Sequence, residues 1–280
     1  MPDIAWNVAV WDGGHNWDAG GEEWSVSWGG SEPQWFGSLY PRLHRFLPTR
    51  TILEIAPGYG RWTKFLIPNC KRYIGVDLSQ ECVDSCRRIF SNVRRATFIK
   101  NDGLSLYGIK DRSCDFVFSF DSLVHADAEI IESYIPEILR ILSRTGAAFI
   151  HHSSMLGIPC SPEQQKEHYR SLTVSADSVA RGVAAAGGGV MIQEIVNWSS
   201  GWDCLTLFRR TQNSNPVRIH NPRFSDEAVL IRASQAAWSA LESPMQIHHS
   251  RSARAVRPKP PHSLSTPPPL RSAQKCADGR

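Results

Sequence analysis

The chain lacks any apolar run of membrane-spanning length, and no basic stretch followed by an apolar segment stands at its N-terminus. Those absences argue against membrane insertion, an anchor and a secretory leader. No Cys-x-x-Cys occurs, and the seven cysteines are odd in number and scattered. A disulfide framework is therefore disfavoured, and reduced thiols in a cytoplasmic protein are the simplest account. No internal repeat stands out, and no spacing of His, Cys, Asp or Glu demands a metal. Basic charge is scarcer than the formal net of +4 suggests: residues 246–280 hold seven Lys/Arg against one acid, a surplus of 6, which leaves 1–245 at −2. The folded part is not a basic nucleic-acid binder, and no nucleic-acid partner is expected.

What is present suits a globular enzyme. The 280 residues are 41% hydrophobic and 21% charged, enough to bury one good core. The organising stretch is 51–77. An apolar run (Ile52, Leu53, Ile55) stops at Gly58-Tyr59-Gly60, then comes a short helical segment and Tyr-Ile-Gly-Val-Asp77. A strand turning sharply into a helix wants glycines, because the backbone bends tightly and lets a ligand approach its N–H groups. A carboxylate some 20 residues on, at the tip of the next strand, is placed to accept hydrogen bonds from ribose hydroxyls. The pattern predicts an adenosine-bearing ligand.

Taken in order, residues 1–30 form an arm with tryptophans in a Gly/Asp/Glu-rich setting. Six of the ten tryptophans fall within the first 35 residues. The arm is too irregular in period for a helix, and its indoles serve either as packing anchors or as a lid over a site. Ser31-Glu32-Pro33-Gln34 reads as a capping box opening a helix to about residue 46. Strands are predicted at 51–55, 73–77, 96–100, 115–120 and 147–151. Helices are expected at 61–67, 80–90 (capped by Ser79), 128–142 (with Pro136 inside) and after Ser175. Two last strands, 190–196 and 204–209, are joined by a hairpin-length loop, which implies one antiparallel strand. Residues 31–212 thus form an α/β domain with a doubly wound parallel sheet. Residues 213–243 hold a candidate helix, and 244–280, rich in Pro, Ser and Arg, are expected to be disordered.

In such a sheet ligands sit at the carboxyl ends of the strands. Read together, those ends supply Glu54, Gly58 and Gly60, then Asp77, then Asp102-Gly103, then Asp121 and His125, then His151 and His152. Each alone is an ordinary turn residue; their recurrence in register points to a cofactor site. A dinucleotide fingerprint wants a small third residue, and Thr63 stands there, which disfavours the alternative of a nicotinamide-dependent oxidoreductase.

The segment Glu54-x-Ala-x-Gly-x-Gly resembles motif I of the class I S-adenosylmethionine-dependent methyltransferases. Ala56 replaces the usual first glycine, a mild change as long as its φ is negative. The resemblance covers about 25–210. It implies a seven-stranded, mostly parallel Rossmann-like sheet whose last strand is antiparallel. On it, Gly58 and Gly60 face the methionine portion of S-adenosylmethionine, Asp77 (with Leu78 beside it) holds the ribose, and Asp102 and Gly103 meet the adenine. Glu54 braces the glycine loop. The stretch Phe118-Ser119-Phe120-Asp121-Ser-Leu-Val-His125 resembles the family's strand-four segment. The pieces Gly-Gly-Glu-Glu-Trp-Ser and Trp-Gly-Gly-Ser-Glu-Pro-Gln-Trp are similar to bacterial methyltransferases found beside polysaccharide-building glycosyltransferases.

Methyl transfer is a displacement that the protein mostly positions, helped for a hydroxyl acceptor by a base. His125, His151 and His152 are the candidates for that base, because imidazole titrates nearest neutrality, and Asp121 for orienting one of them. Side chains alternate on a strand, so only one of His151 and His152 can face the site. The expected acceptor is a sugar hydroxyl or glycan precursor, the alternative a phenol or amine of another small molecule.

Overall fold

The computed structural model describes residues 2–198, 201–213 and 215–242. The expected disorder of 244–280 lies outside them. Eight strands form one sheet: β1 (Thr49–Ile55), β2 (Cys70–Asp77), β3 (Ala96–Lys100), β4 (Cys114–Ser119), β5 (Leu142–Ser153), β6 (Gly189–Trp198), β7 (Gly201–Arg209) and β8 (Val217–Asn221). Their order is β3-β2-β1-β4-β5-β7-β6-β8. Every neighbouring pair is parallel except the two that β7 makes, with β5 and β6. The chain runs outward one way through β1, β2 and β3 and the other way through β4 and β5. The crevice between the carboxyl ends of β1 and β4 is therefore the switch point where ligands bind.

The central strands are apolar in near-continuous runs because both faces are covered. Alternate residues enter two cores. Leu53, Ile55, Ile74, Val76, Val117 and Ile150 pack with the helices Ala128–Ile141 and Ala176–Ala185. On the other face, Ile52, Tyr73, Phe116, Phe118 and Phe149 pack with Trp28, Trp35, Leu39, Leu66, Val83 and Cys86. Ser79 caps the helix Gln80–Ile89 through the Cys82 N–H, and Ser175 caps Ala176–Ala185, both as their side chains predict.

The structure departs from the sequence pattern in four places. An eighth strand, β8, pairs parallel with β6; its alternation, Val217-Arg218-Ile219-His220, is short and its apolar residues stay exposed, so it marks no core face. The loop after β5 contains a short helix, Pro162–His168, opened by a Ser161/Gln164 capping box. The arm is not irregular: Asp3 caps a helix over Ile4–Trp11, and a 3-10 helix spans Glu22–Trp28. Ser31 does not cap its helix. Its hydroxyl donates to Glu22 Oε1 at 2.6 Å and Gly30 takes the cap position, from which a helical run of changing hydrogen-bond register reaches Phe46. Among the described residues no helix is long and apolar enough to cross a membrane, and six cysteines are free thiols.

Candidate active-site cleft

A cleft opens at the switch point. Asp77, the last residue of β2, forms one wall; its Oδ2 accepts the Gly58 N–H at 3.1 Å and its Oδ1 the Ser79 N–H at 2.9 Å. Burial pushes its carboxyl up to about 6, against the pull of those amides. The turn after β1 lies beside it, with Gly58 at φ +57°. Ala56 also has positive φ, +56°, so the expectation of a mild alanine at negative φ is overturned. A Cβ clashes there with the carbonyl, and the strand-to-helix turn imposes the conformation regardless. Leu78 and Gly103 line the cleft further along.

At the β4 side, Asp121 stands in the left-handed region at φ +65°. Its Oδ2 is 2.8 Å from Arg61 Nη2, a pair in which both side chains are largely buried. Burial alone would raise the Asp121 carboxyl, but the Arg61 guanidinium beside it holds it below the ordinary value. Arg61 also donates to Ser25 Oγ at 3.1 Å and lies over the rings of Trp24 and Trp62, 5.2 and 4.6 Å from their centroids. Sequence reasoning passed over Arg61. Its signal was a lone cation directly after the second glycine of the turn.

His125 sits on a short 3-10 turn and lines the same cleft. Its Nδ1 lies 3.0 Å from the Tyr169 carbonyl, which can only accept, so Nδ1 carries the proton. Nε2 is then a lone-pair acceptor, with no hydrogen-bond partner among the described residues. Burial lowers its pKa below the ordinary histidine value, which favours the neutral ring.

Other predicted site residues lie elsewhere. Glu54 stands behind the glycine turn, accepting hydrogen bonds from Thr63 (2.7 Å) and Tyr73, and burial raises its carboxyl to about 7. Thr63, where a third small residue was absent, is thus the partner of the brace. Gly60 is required by packing: a Cβ there would stand 2.5 Å from the Phe90 ring. Ser119 donates across the sheet to the Ile55 carbonyl at 3.1 Å. Asp102 is exposed, and its carboxylate is folded back on the amides of Leu104 and Ser105. Side-chain alternation puts His152 on the face away from the cleft. It is bonded to Thr206 Oγ1 at 2.8 Å, and burial pushes its pKa down to about 4. His151 lies on the opposite face, beneath Asp121, and does not line the cleft.

The arm divides. Trp28 and Trp35 are core residues. Trp11, Trp17 and Trp24 line the cleft, and Trp17 stacks on Tyr59 at 4.7 Å and 4°. Asn7 fastens the arm by donating to the His125 carbonyl at 2.8 Å. Asp12 Oδ1 accepts from Ser79 Oγ at 3.0 Å and the Glu81 N–H at 3.1 Å. Among the described residues no group of three or more His, Cys, Asp or Glu is placed to hold a metal ion.

A family profile described as a methyltransferase domain matches residues 52–146. No curated protein matches the chain. Among solved structures, a protein from Pyrococcus horikoshii is similar at 19% identity and a TM-score of 0.53, over 72% of this chain and 95% of that one. An S-adenosylmethionine-dependent methyltransferase from Clostridium acetobutylicum is similar at 15% identity and 0.51, over 68% and 92%. At such identities these two likenesses speak for the fold, while the profile covers the segment that builds the cleft. Residues 52–146, the segment that builds the cleft, therefore carry a methyltransferase domain.

Proposed function

We propose that the enzyme methylates a hydroxyl of a sugar or glycan precursor, with His125 as the general base. The observation that carries this reading is the pairing, in one cleft, of a neutral imidazole whose Nε2 is unpartnered with a wall of indoles. The His125 ring lies 6.1 Å from Trp6 and 5.6 Å from Trp11. Indole faces suit the C–H faces of a sugar ring.

The residues fit the cofactor. Gly58 and Gly103 keep the cleft clear of side chains on its inner wall; a Cβ at either would run into the arm, 3.1 Å from Trp17 and 2.7 Å from Ile4. The Nε1 donors of Trp17 and Trp62, both residues of the cleft wall, are buried without a partner among the described residues. Orphaned donors of that kind are what a polar ligand satisfies. Asp77 would take the ribose hydroxyls, Leu78 and Gly103 the adenine end, and the Ala56–Tyr59 backbone with Arg61 and Asp121 the zwitterionic end. The cofactor, when bound, supplies an electrophilic methyl on a sulfonium. His125 Nε2 removes the hydroxyl proton as the acceptor oxygen attacks. Packing of the arm excludes water, which strengthens each of these polar interactions.

The test is incubation with S-adenosylmethionine and panels of sugar nucleotides and glycans, phenols and amines, read by mass. A methyl gained by the carbohydrate panel is expected. A methyl gained only by phenols or amines would overturn the acceptor assignment.

A further inference from the structure

Beneath the cleft floor lies a chain of groups that methyl transfer as proposed does not use. His151 and Asp203 are both fully buried. His151 Nδ1 accepts the backbone N–H of Asp121 at 3.1 Å. Its Nε2 is 3.1 Å from Asp203 Oδ2, close in charge although not aligned as a hydrogen bond, and Arg170 Nε donates to Asp203 Oδ1 at 2.7 Å. The imidazole is held between Phe120 and Trp198, at centroid distances of 4.6 and 5.5 Å. Two facts describe its surroundings. A backbone N–H faces Nδ1, so that nitrogen presents its lone pair to Asp121. The charges around it also cancel in pairs, Arg61 with Asp121 on the cleft side and Arg170 with Asp203 on the far side. His152, next in the chain, is kept neutral by burial.

Asp121 needs such support. A non-glycine residue at φ +65° is sparsely populated and persists only where its surroundings over-determine it. Two contacts do so here: the N–H held by His151 and the carboxylate held by Arg61. We propose that His151, oriented by the Asp203–Arg170 pair, is a positioning residue that pins the Asp121 turn and so sets the Asp121–Arg61 wall against the methionine end of the cofactor. The proposal rests on the placement of that end beside Asp121. It moves His151 from the candidate bases to a role exerted through its neighbour.

The experiment uses the full chain. Binding of S-adenosylmethionine is titrated calorimetrically for wild type, His151→Leu, which removes the acceptor, and His151→Asn, whose Oδ1 can occupy the position of Nδ1. The dissociation constant should weaken about tenfold (~1.4 kcal/mol) in the leucine variant and stay within about threefold of wild type in the asparagine variant. A purely structural histidine would lower Tm in both variants and leave the constants alike, and that result overturns the proposal. Should the leucine variant not fold, the wild type still decides. The 15N spectrum of labelled protein must show a coupling across the hydrogen bond from the Asp121 amide to the ring nitrogen of His151, a signal that the His151→Asn variant lacks. Absence of that coupling in folded wild type would contradict it. Absence of binding by folded wild type would instead refute the cofactor site, and the spectrum separates the two failures.

Discussion

The two sides of the cleft are built by different means. On the sheet side, Gly58, Asp77 and Asp121 are placed by strand ends, so position follows from backbone periodicity and the topology of a parallel sheet. On the arm side, Trp11, Trp17 and Trp24 are placed by side-chain contacts: Asn7 to the His125 carbonyl, Asp12 to the start of the helix Gln80–Ile89, Trp17 on Tyr59. A wall hung on a sheet inherits the rigidity of the core. A wall held by a few polar contacts can lift at the cost of those contacts, and a buried cofactor needs one such wall in order to enter. We propose that the sheet side binds and the arm side gates.

Removing the base gives the largest effect expected. His125→Ala should cut turnover on the identified acceptor by roughly 100-fold or more while cofactor affinity, measured by titration, changes little. Because the pKa of His125 is lowered, the acid limb of kcat/KM against pH should fall below the ordinary histidine value. An unchanged rate would remove His125 from the chemistry.

Asp77→Asn sharpens the cost of the sheet side. Burial raises the folded-state pKa of Asp77 to about 6, above the roughly 4 of an unfolded aspartate. The folded chain then holds that proton more tightly, so stability is lost as pH rises from about 4 to about 6 and remains lost above. The cost at neutral pH is on the order of 2 kcal/mol. The amide should therefore raise Tm at pH 7.5 and give no gain near pH 4, although it weakens the cofactor site. A lowered Tm at pH 7.5 would show that the Gly58 and Ser79 contacts outweigh the buried charge.

Deleting residues 2–21 breaks the arm side alone, leaving Trp28 and Trp35 in the core. Cofactor dissociation, followed by stopped-flow fluorescence, should speed up about tenfold, worth ~1.4 kcal/mol, with the fold retained by circular dichroism. An unaltered rate would make the arm a packing element only. The smallest effect belongs to Ala56→Gly, which relieves a left-handed alanine and should stabilise by about 1 kcal/mol in denaturant melts.

How much of this was legible in the sequence follows the same division. The first five strands, the caps at Ser79 and Ser175, and the cleft residues Gly58, Asp77, Gly103, Asp121 and His125 were all readable, because alternation, caps and turn glycines are local signals. The eighth strand was not, since its alternation is too short to stand out and faces no core. Nor was the left-handed Ala56, whose conformation is dictated by the turn against its own preference. Asp102, Ser119 and His152 occupy the right strand ends or strands, yet hydrogen bonds within the fold claim their side chains. Arg61 and the split roles of the tryptophans depend on contacts across 60 or more residues in one case and on the arm's docking in the other, which no local pattern records.

The central claim is that this cleft holds S-adenosylmethionine through Asp77. Calorimetric titration of the cofactor into wild type and Asp77→Ala at pH 7.5 tests it most directly. One site per chain is expected for wild type, and affinity lower by roughly 100-fold for the variant, the loss of two charge-assisted hydrogen bonds. Equal affinity in the two proteins, or no binding by folded wild type, would contradict it.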